Sequence, residues 1–158
     1  MGKKQQSAAC VFGAAFLIKQ LENLKNDVDT AMDPKDIEHV LRLRVSSRRL
    51  RTGLKHFRDC LPDKKTRVFE DEIRRLGNAL GKARDLDIQI ETLNTLYEED
   101  LDQKFKPGYR RLLLRLKQRR MKAQEKVDQT LAELREKKIL KKMKKLLEEP
   151  ASSAEDLY

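Results

Sequence analysis

The chain has 158 residues, with 36 Lys and Arg against 26 Asp and Glu and a formal net charge of +10. That length suits one domain, and an apolar content of 39% suffices for one core if those residues are well phased. Six Gly and four Pro argue against an all-β fold, while Cys10 and Cys60 make neither a disulfide framework nor a metal spacing.

The first segment, Ser7 to Ala31, opens with the only long apolar run, Ala8 to Ile18. Eleven residues are too few to span a bilayer. Lys3 and Lys4 ahead of it imitate a secretion signal, but no small-residue cleavage site follows. Val11, Ala14, Ile18, Leu21 and Val28 recur at helical spacing. The two cysteines sit among apolar neighbours and are expected as buried free thiols in a reducing cytoplasm.

The second segment starts at Asp33-Pro34, expected as an N-cap and a first-turn proline. Its stripe is Ile37, Val40, Leu43, Ser47, Leu50, Leu54, Phe57 and Leu61. The third, from Lys65 to Leu101, repeats the pattern with Phe69, Ile73, Leu76, Leu80, Ala83, Leu86, Ile90 and Leu93, with a helix break expected near Gly81. The fourth begins after Pro107-Gly108 and runs as one long helix from Tyr109 to about Leu147 on Leu112, Leu116, Ala123, Val127, Leu131, Leu134, Leu140, Met143 and Leu147. These elements predict an all-α antiparallel bundle of four to five helices spanning residues 1–149, with a disordered acidic tail over 150–158.

The excess charge is local. Residues 105–147 carry +12 and residues 33–64 carry +4, while 65–104 carry −3 and 148–158 carry −4. In the second segment Arg44, Arg48, Arg51, Lys55 and Arg58 follow the rhythm of the apolar stripe displaced by one residue, about 100° around the helix. Arg42 and Arg49 form a parallel row, and no acid stands between Arg42 and Arg58. Guanidinium groups in such a row suit repeated phosphates, to which Arg donates paired hydrogen bonds. Arg115, Arg119, Lys122 and Lys126 repeat the rhythm in the fourth segment, with Arg111, Lys117 and Arg120 nearby, and are expected to share a groove or a surface with the first row. No aromatic residue interleaves with these rows, which favours backbone phosphate over base stacking.

No Ser/His/Asp grouping, glycine-rich phosphate loop or Cys/His metal spacing is present. Asp85 and Asp87 read as capping or Arg-pairing groups. Catalysis and a cofactor are not expected.

Three motifs carry a family resemblance. Arg44-Val45-Ser46-Ser47-Arg48-Arg49-Leu50-Arg51 resembles the RVxxRRLR signature of the CHAD family (conserved histidine α-helical domain). Leu80-Gly81-Lys82-Ala83-Arg84-Asp85-Leu86-Asp87-Ile88 is similar to its LGxxRDxDV signature, and Leu116 to Ala123, with Arg119-Arg120, to its LxxRRxxA helix. The resemblance covers roughly residues 8 to 147. It implies a helical fold that binds inorganic polyphosphate through basic residues, often at polyphosphate granules; the targeting signals read above lead to the expectation of a cytoplasmic location. On that basis, together with the spacing, the candidate contacts are Arg44, Arg48, Arg49, Arg51, Lys55, Arg58, Lys82, Arg84, Arg115, Arg119, Arg120 and Lys122, Arg84 having a competing role as an acid's partner.

Two departures stand beside it. Where the family's histidine usually precedes the RV arginine by three residues, this chain has Leu41, and His39 lies about 200° away around the helix. The chain also matches one half of the two-half family domain, so a homodimer rebuilding the pair is expected. The alternatives are a nucleic-acid backbone binder and a basic module docking an acidic partner protein.

Overall fold

A computed structural model of the chain describes residues 7–30, 36–99 and 102–152. Five α-helices follow one another: α1 Ala8–Asp29, α2 Ile37–His56, α3 Asp63–Glu98, α4 Lys106–Glu136 and α5 Ile139–Ser152, with single 3-10 turns at Arg58–Cys60 and Gln103–Phe105. Among the described residues there is no strand. The all-α bundle read from the apolar periodicity is the fold observed.

Local chemistry sets the helix ends. The Ser7 side chain accepts from the Cys10 amide at the start of α1, and Asp36 accepts from the His39 amide at the start of α2. The expected cap Asp33 and proline Pro34 lie outside the described residues. In α3 the expected break at Gly81 is absent; the helix runs unbroken for 36 residues. Pro107 does not separate elements but sits in the first turn of α4, where its missing N–H costs nothing.

The long fourth helix expected to Leu147 is instead two. Lys138 has a φ of 52°, a left-handed conformation that ends α4 and turns the chain into α5. Arg135 donates to the Val28 carbonyl at 2.5 Å, tying this turn to the end of α1. Helix α5 continues through the buried Pro150 to Ser152, so the tail expected from residue 150 starts inside a helix; residues 153–158 lie outside the described part.

Helix α2 packs on α1 and α3, α4 packs on α3, and α5 lies back along α1. Leu17, Leu24, Leu43, Leu50, Leu54, Ile73, Leu76, Leu80, Leu134, Met143 and Leu147 are withdrawn from solvent at their junction. At 1.5 Å per residue α3 and α4 reach about 54 and 46 Å, against about 33 and 30 Å for α1 and α2. Their surplus projects as a two-helix hairpin: beyond Asp87 in α3, and before Leu116 in α4, no described residue is buried.

The cysteines differ from expectation. They are half-buried, and Cys10 and Cys60 form a disulfide with Cα atoms 5.3 Å apart. Cys10 lies in the first turns of α1 and Cys60 just past the end of α2. Two antiparallel helices bring those places together across fifty residues, which spacing alone does not reveal. With the sulfurs bonded, the free-thiol argument for a reducing compartment falls away.

Candidate functional site

The α2 cations are placed by the helix period. Leu43, Leu50 and Leu54 drive one face of α2 into the core, and the displaced row Arg44, Arg48, Arg51 emerges along the seam with α3. There it borders an open trough of about 460 Å³ whose other wall is Asn78, Lys82 and Asp85 of α3. The floor holds Ser47, Ile73, Gly77 and Gly81. Among the described residues no carboxylate oxygen comes within ion-pairing distance of Arg44, Arg48, Arg51 or Lys82.

Gly77 and Gly81, one turn apart on α3, give the trough its depth. A Cβ at Gly77 would meet the Arg51 Nη1 and Ser47 Oγ atoms only at 3.9 and 4.0 Å, and one at Gly81 would meet nothing within 4 Å. Steric closeness therefore does not require glycine at either position. What the missing side chains do is leave open space beneath four cations.

The two basic rows do not share a groove, because α3 stands between α2 and α4 and packs against both. They do lie along one side. Arg75 donates to Glu133 at 2.6 Å across the α3–α4 seam. Lys82 is two turns beyond Arg75, and Lys126 and Arg119 lie two and four turns before Glu133, so antiparallel packing sets Lys126 abreast of Lys82. Arg115, Arg119 and Lys122 are exposed on that stripe and make no ion pair among the described residues. Glu133 is held below the ordinary carboxylate range, chiefly by the Arg75 hydrogen bond, with the charges of Arg75, Lys137 and Lys126 adding to it.

Two candidate contacts have structural partners instead. Arg58 is flanked by Glu70 at 3.3 Å and Asp63 at 3.7 Å, acids supplied by α3 and so absent from its own helix. Arg120 is largely buried and donates to Asp87 at 2.6 Å; it occupies the core stripe between Leu116 and Ala123, a register readable in the sequence. Asp87 is thus Arg-paired as expected, but with Arg120 rather than Arg84. Arg84 is half-buried and makes no ion pair among the described residues, Lys55 extends the α2 row past the trough, and Arg49 points to the other side of α2.

That other side overturns the expectation that no ring accompanies the arginines. Phe12 and Phe16 of α1, with Phe57 after α2, line a second trough of about 710 Å³ bordered by Arg44, Arg48 and Arg49. Phe12 is 68% exposed. Phe12 and Phe16 come from a neighbouring helix, so spacing within α2 does not show them.

His39 takes no part in either trough. It is buried, and its Nε2 lies 2.6 Å from the Asp27 carbonyl; a carbonyl only accepts, so Nε2 carries the proton. Ser46 donates to the Asp27 carboxylate beside it, so α2 is pinned to the end of α1. Among the described residues no three metal-binding side chains converge, and no helix is long and apolar enough to cross a membrane.

The family model described as the CHAD domain matches residues 15–157, nearly the whole chain. No curated protein and no solved structure matches it.

Proposed function

The chain belongs to the CHAD family, and on that premise we propose that it binds inorganic polyphosphate, without turning it over, along the seam of α2 and α3. The observation that carries this reading is the convergence of Arg44, Arg48, Arg51 and Lys82 on one glycine-floored trough, with no acid among the described residues paired to any of them. Like charges held that close repel and cost stability unless a polyanion neutralises them. Steps of four and three residues space the row about 6 and 4.5 Å along the helix axis, close enough for one flexible phosphate chain to reach each guanidinium in turn. From Lys82 the chain continues towards Lys126, Lys122 and Arg119 on α4; Arg115, Arg84 and Lys55 border the path, while Arg49 faces the other side of α2. Arg58 and Arg120 are left out of the contact set, because their own acids occupy them.

A titration of the full chain at fixed salt tests this. Long-chain polyphosphate is expected to displace duplex DNA and RNA at equal phosphate concentration; the reverse order would reject the reading. Arg48→Glu with Arg51→Glu is expected to weaken binding at least tenfold at unchanged helicity.

The same reading includes a homodimer formed through the projecting hairpin. Its support is the set of exposed apolar residues there: Ile88, Leu96, Leu112 and Leu114. Each chain weighs 18.5 kDa, and a solution mass of one chain would dismiss the pairing.

A further inference from the structure

The arginines Arg44 and Arg48 border two spaces, and only one of them suits bare phosphate. The trough between α1 and α2 is walled by the rings of Phe12, Phe16 and Phe57, with Val45 and His56 beside them. Phe16 and Phe57 pack tilted with centroids 6.2 Å apart, and His56 meets Phe57 edge-on at 5.0 Å. Two glycines bring the rings this close to backbone. A Cβ at Gly13 would fall 2.3 Å from the Phe57 ring, and one at Gly53 would fall 2.7 Å from Leu17 and 3.2 Å from Phe16.

We infer that this trough takes the base of a nucleoside polyphosphate whose phosphates cross between Arg44 and Arg48 into the Gly77–Gly81 trough. The ligand must be flat and apolar at one end and multiply anionic at the other. The rings supply a stacking surface for the first requirement. Arg44, Arg48 and Arg49, unpaired among the described residues, supply charge for the second. About 710 Å³ is the size of a small-molecule site. A nucleic-acid strand would need ring after ring along the ridge. Among the described residues the rings beside it are confined to this one trough, while Tyr97, Phe105 and Tyr109 belong to the far hairpin. The geometry therefore fits one base, not a run of them.

The inference rests on the ridge being a phosphate site, and the experiment separates the two. Calorimetric titration at fixed salt compares ATP with inorganic tripolyphosphate on the full chain and on Phe12→Ser. That ring is exposed, so the variant keeps its fold. Tripolyphosphate carries the higher charge, so charge alone favours it. The expected result is ATP bound about tenfold more tightly, a stacking-sized preference, with Phe12→Ser abolishing the preference and leaving tripolyphosphate binding unchanged. Equal binding of the two ligands, or a preference that survives Phe12→Ser, overturns the nucleotide site and leaves the phosphate ridge standing. Failure of both ligands to bind overturns the ridge as well. An oligonucleotide bound more tightly than ATP at several nucleotides per chain assigns the rings to a strand, and a changed solution mass in Phe12→Ser assigns them to a contact between copies; either result overturns the proposal.

Discussion

Arg120 donates from Nε to the Oδ1 atom of Asp87 at 2.6 Å, across 33 residues of sequence and with both side chains nearly out of solvent, 11% and 6% exposed. The pair joins the second and third family motifs at the level where the α3–α4 hairpin leaves the core. Gln124 accepts from the Arg120 Nη1 at 2.9 Å, while the Asp87 Oδ2 has no hydrogen-bond partner among the described residues. Adjacent Arg119, about 100° around the helix, is exposed. One arginine of the pair aligns helices and the other stays exposed on α4.

Removing one member strands a buried charge. Asp87→Ala and Arg120→Ala are each expected to destabilise the chain by about 3–5 kcal/mol, whereas Arg119→Ala should change stability by less than about 0.5 kcal/mol and weaken polyphosphate binding. Urea denaturation of the three variants checks this. Equal, small effects would mean that the Asp87–Arg120 contact carries no structural weight.

Gly81 separates stability from binding. Helical glycine costs about 0.5–1 kcal/mol relative to alanine, and a Cβ there meets nothing within 4 Å. Gly81→Ala should therefore raise the thermal midpoint, while Gly81→Leu, which fills the trough floor, should lower polyphosphate affinity severalfold without unfolding the protein. An unaffected affinity in Gly81→Leu would move the ligand out of this trough.

The Cys10–Cys60 bond closes a loop of fifty residues. On the chain-entropy account such a loop is worth about 4 kcal/mol. Cys60→Ser, or a reductant added to the wild type, should lower the denaturation midpoint accordingly, and the reductant should do nothing further to Cys60→Ser. The same midpoint with and without reductant would show that the two helices hold together unaided.

Glu133 gives a pH signature. Its folded-state affinity for protons is depressed by Arg75, so the stability it contributes is fully present at neutral pH. On acidification the unfolded chain takes up a proton first, and the contribution drains away as pH falls through the carboxylate range to the lower folded value. The stability difference between wild type and Glu133→Gln should be flat above about pH 5.5 and shrink below it. The carboxylate is partly open to solvent and screened, so the change is small; a difference that grew on acidification would contradict the assignment.

Much of this was legible in the residues. Leu43, Leu50 and Leu54 set the core side of α2, and the row displaced by one residue had to emerge beside it, so Arg44, Arg48 and Arg51 were found from spacing. Lys82 came from the family motif. What spacing could not supply was anything contributed by another helix: the acids Asp63 and Glu70 against Arg58, the rings beside Arg48, the sulfur opposite Cys60. Arg120 differs, since its register between Leu116 and Ala123 marks it as inward-facing. Gly81 looked like a break because glycine disfavours helix, but Leu80 and Ala83 bury the other side and packing outweighs a cost of about 1 kcal/mol.

The left-handed Lys138 bears on how the chain assembles. Without that single reversal α4 would run on into solvent, and Met143 and Leu147 would never reach α1. The core is therefore completed by residues 139–150 meeting helix 8–29. During synthesis α1 emerges well before α5 and keeps part of its apolar side uncovered until residues 139–150 have followed, so Leu17, Leu21 and Leu24 need protection throughout that interval.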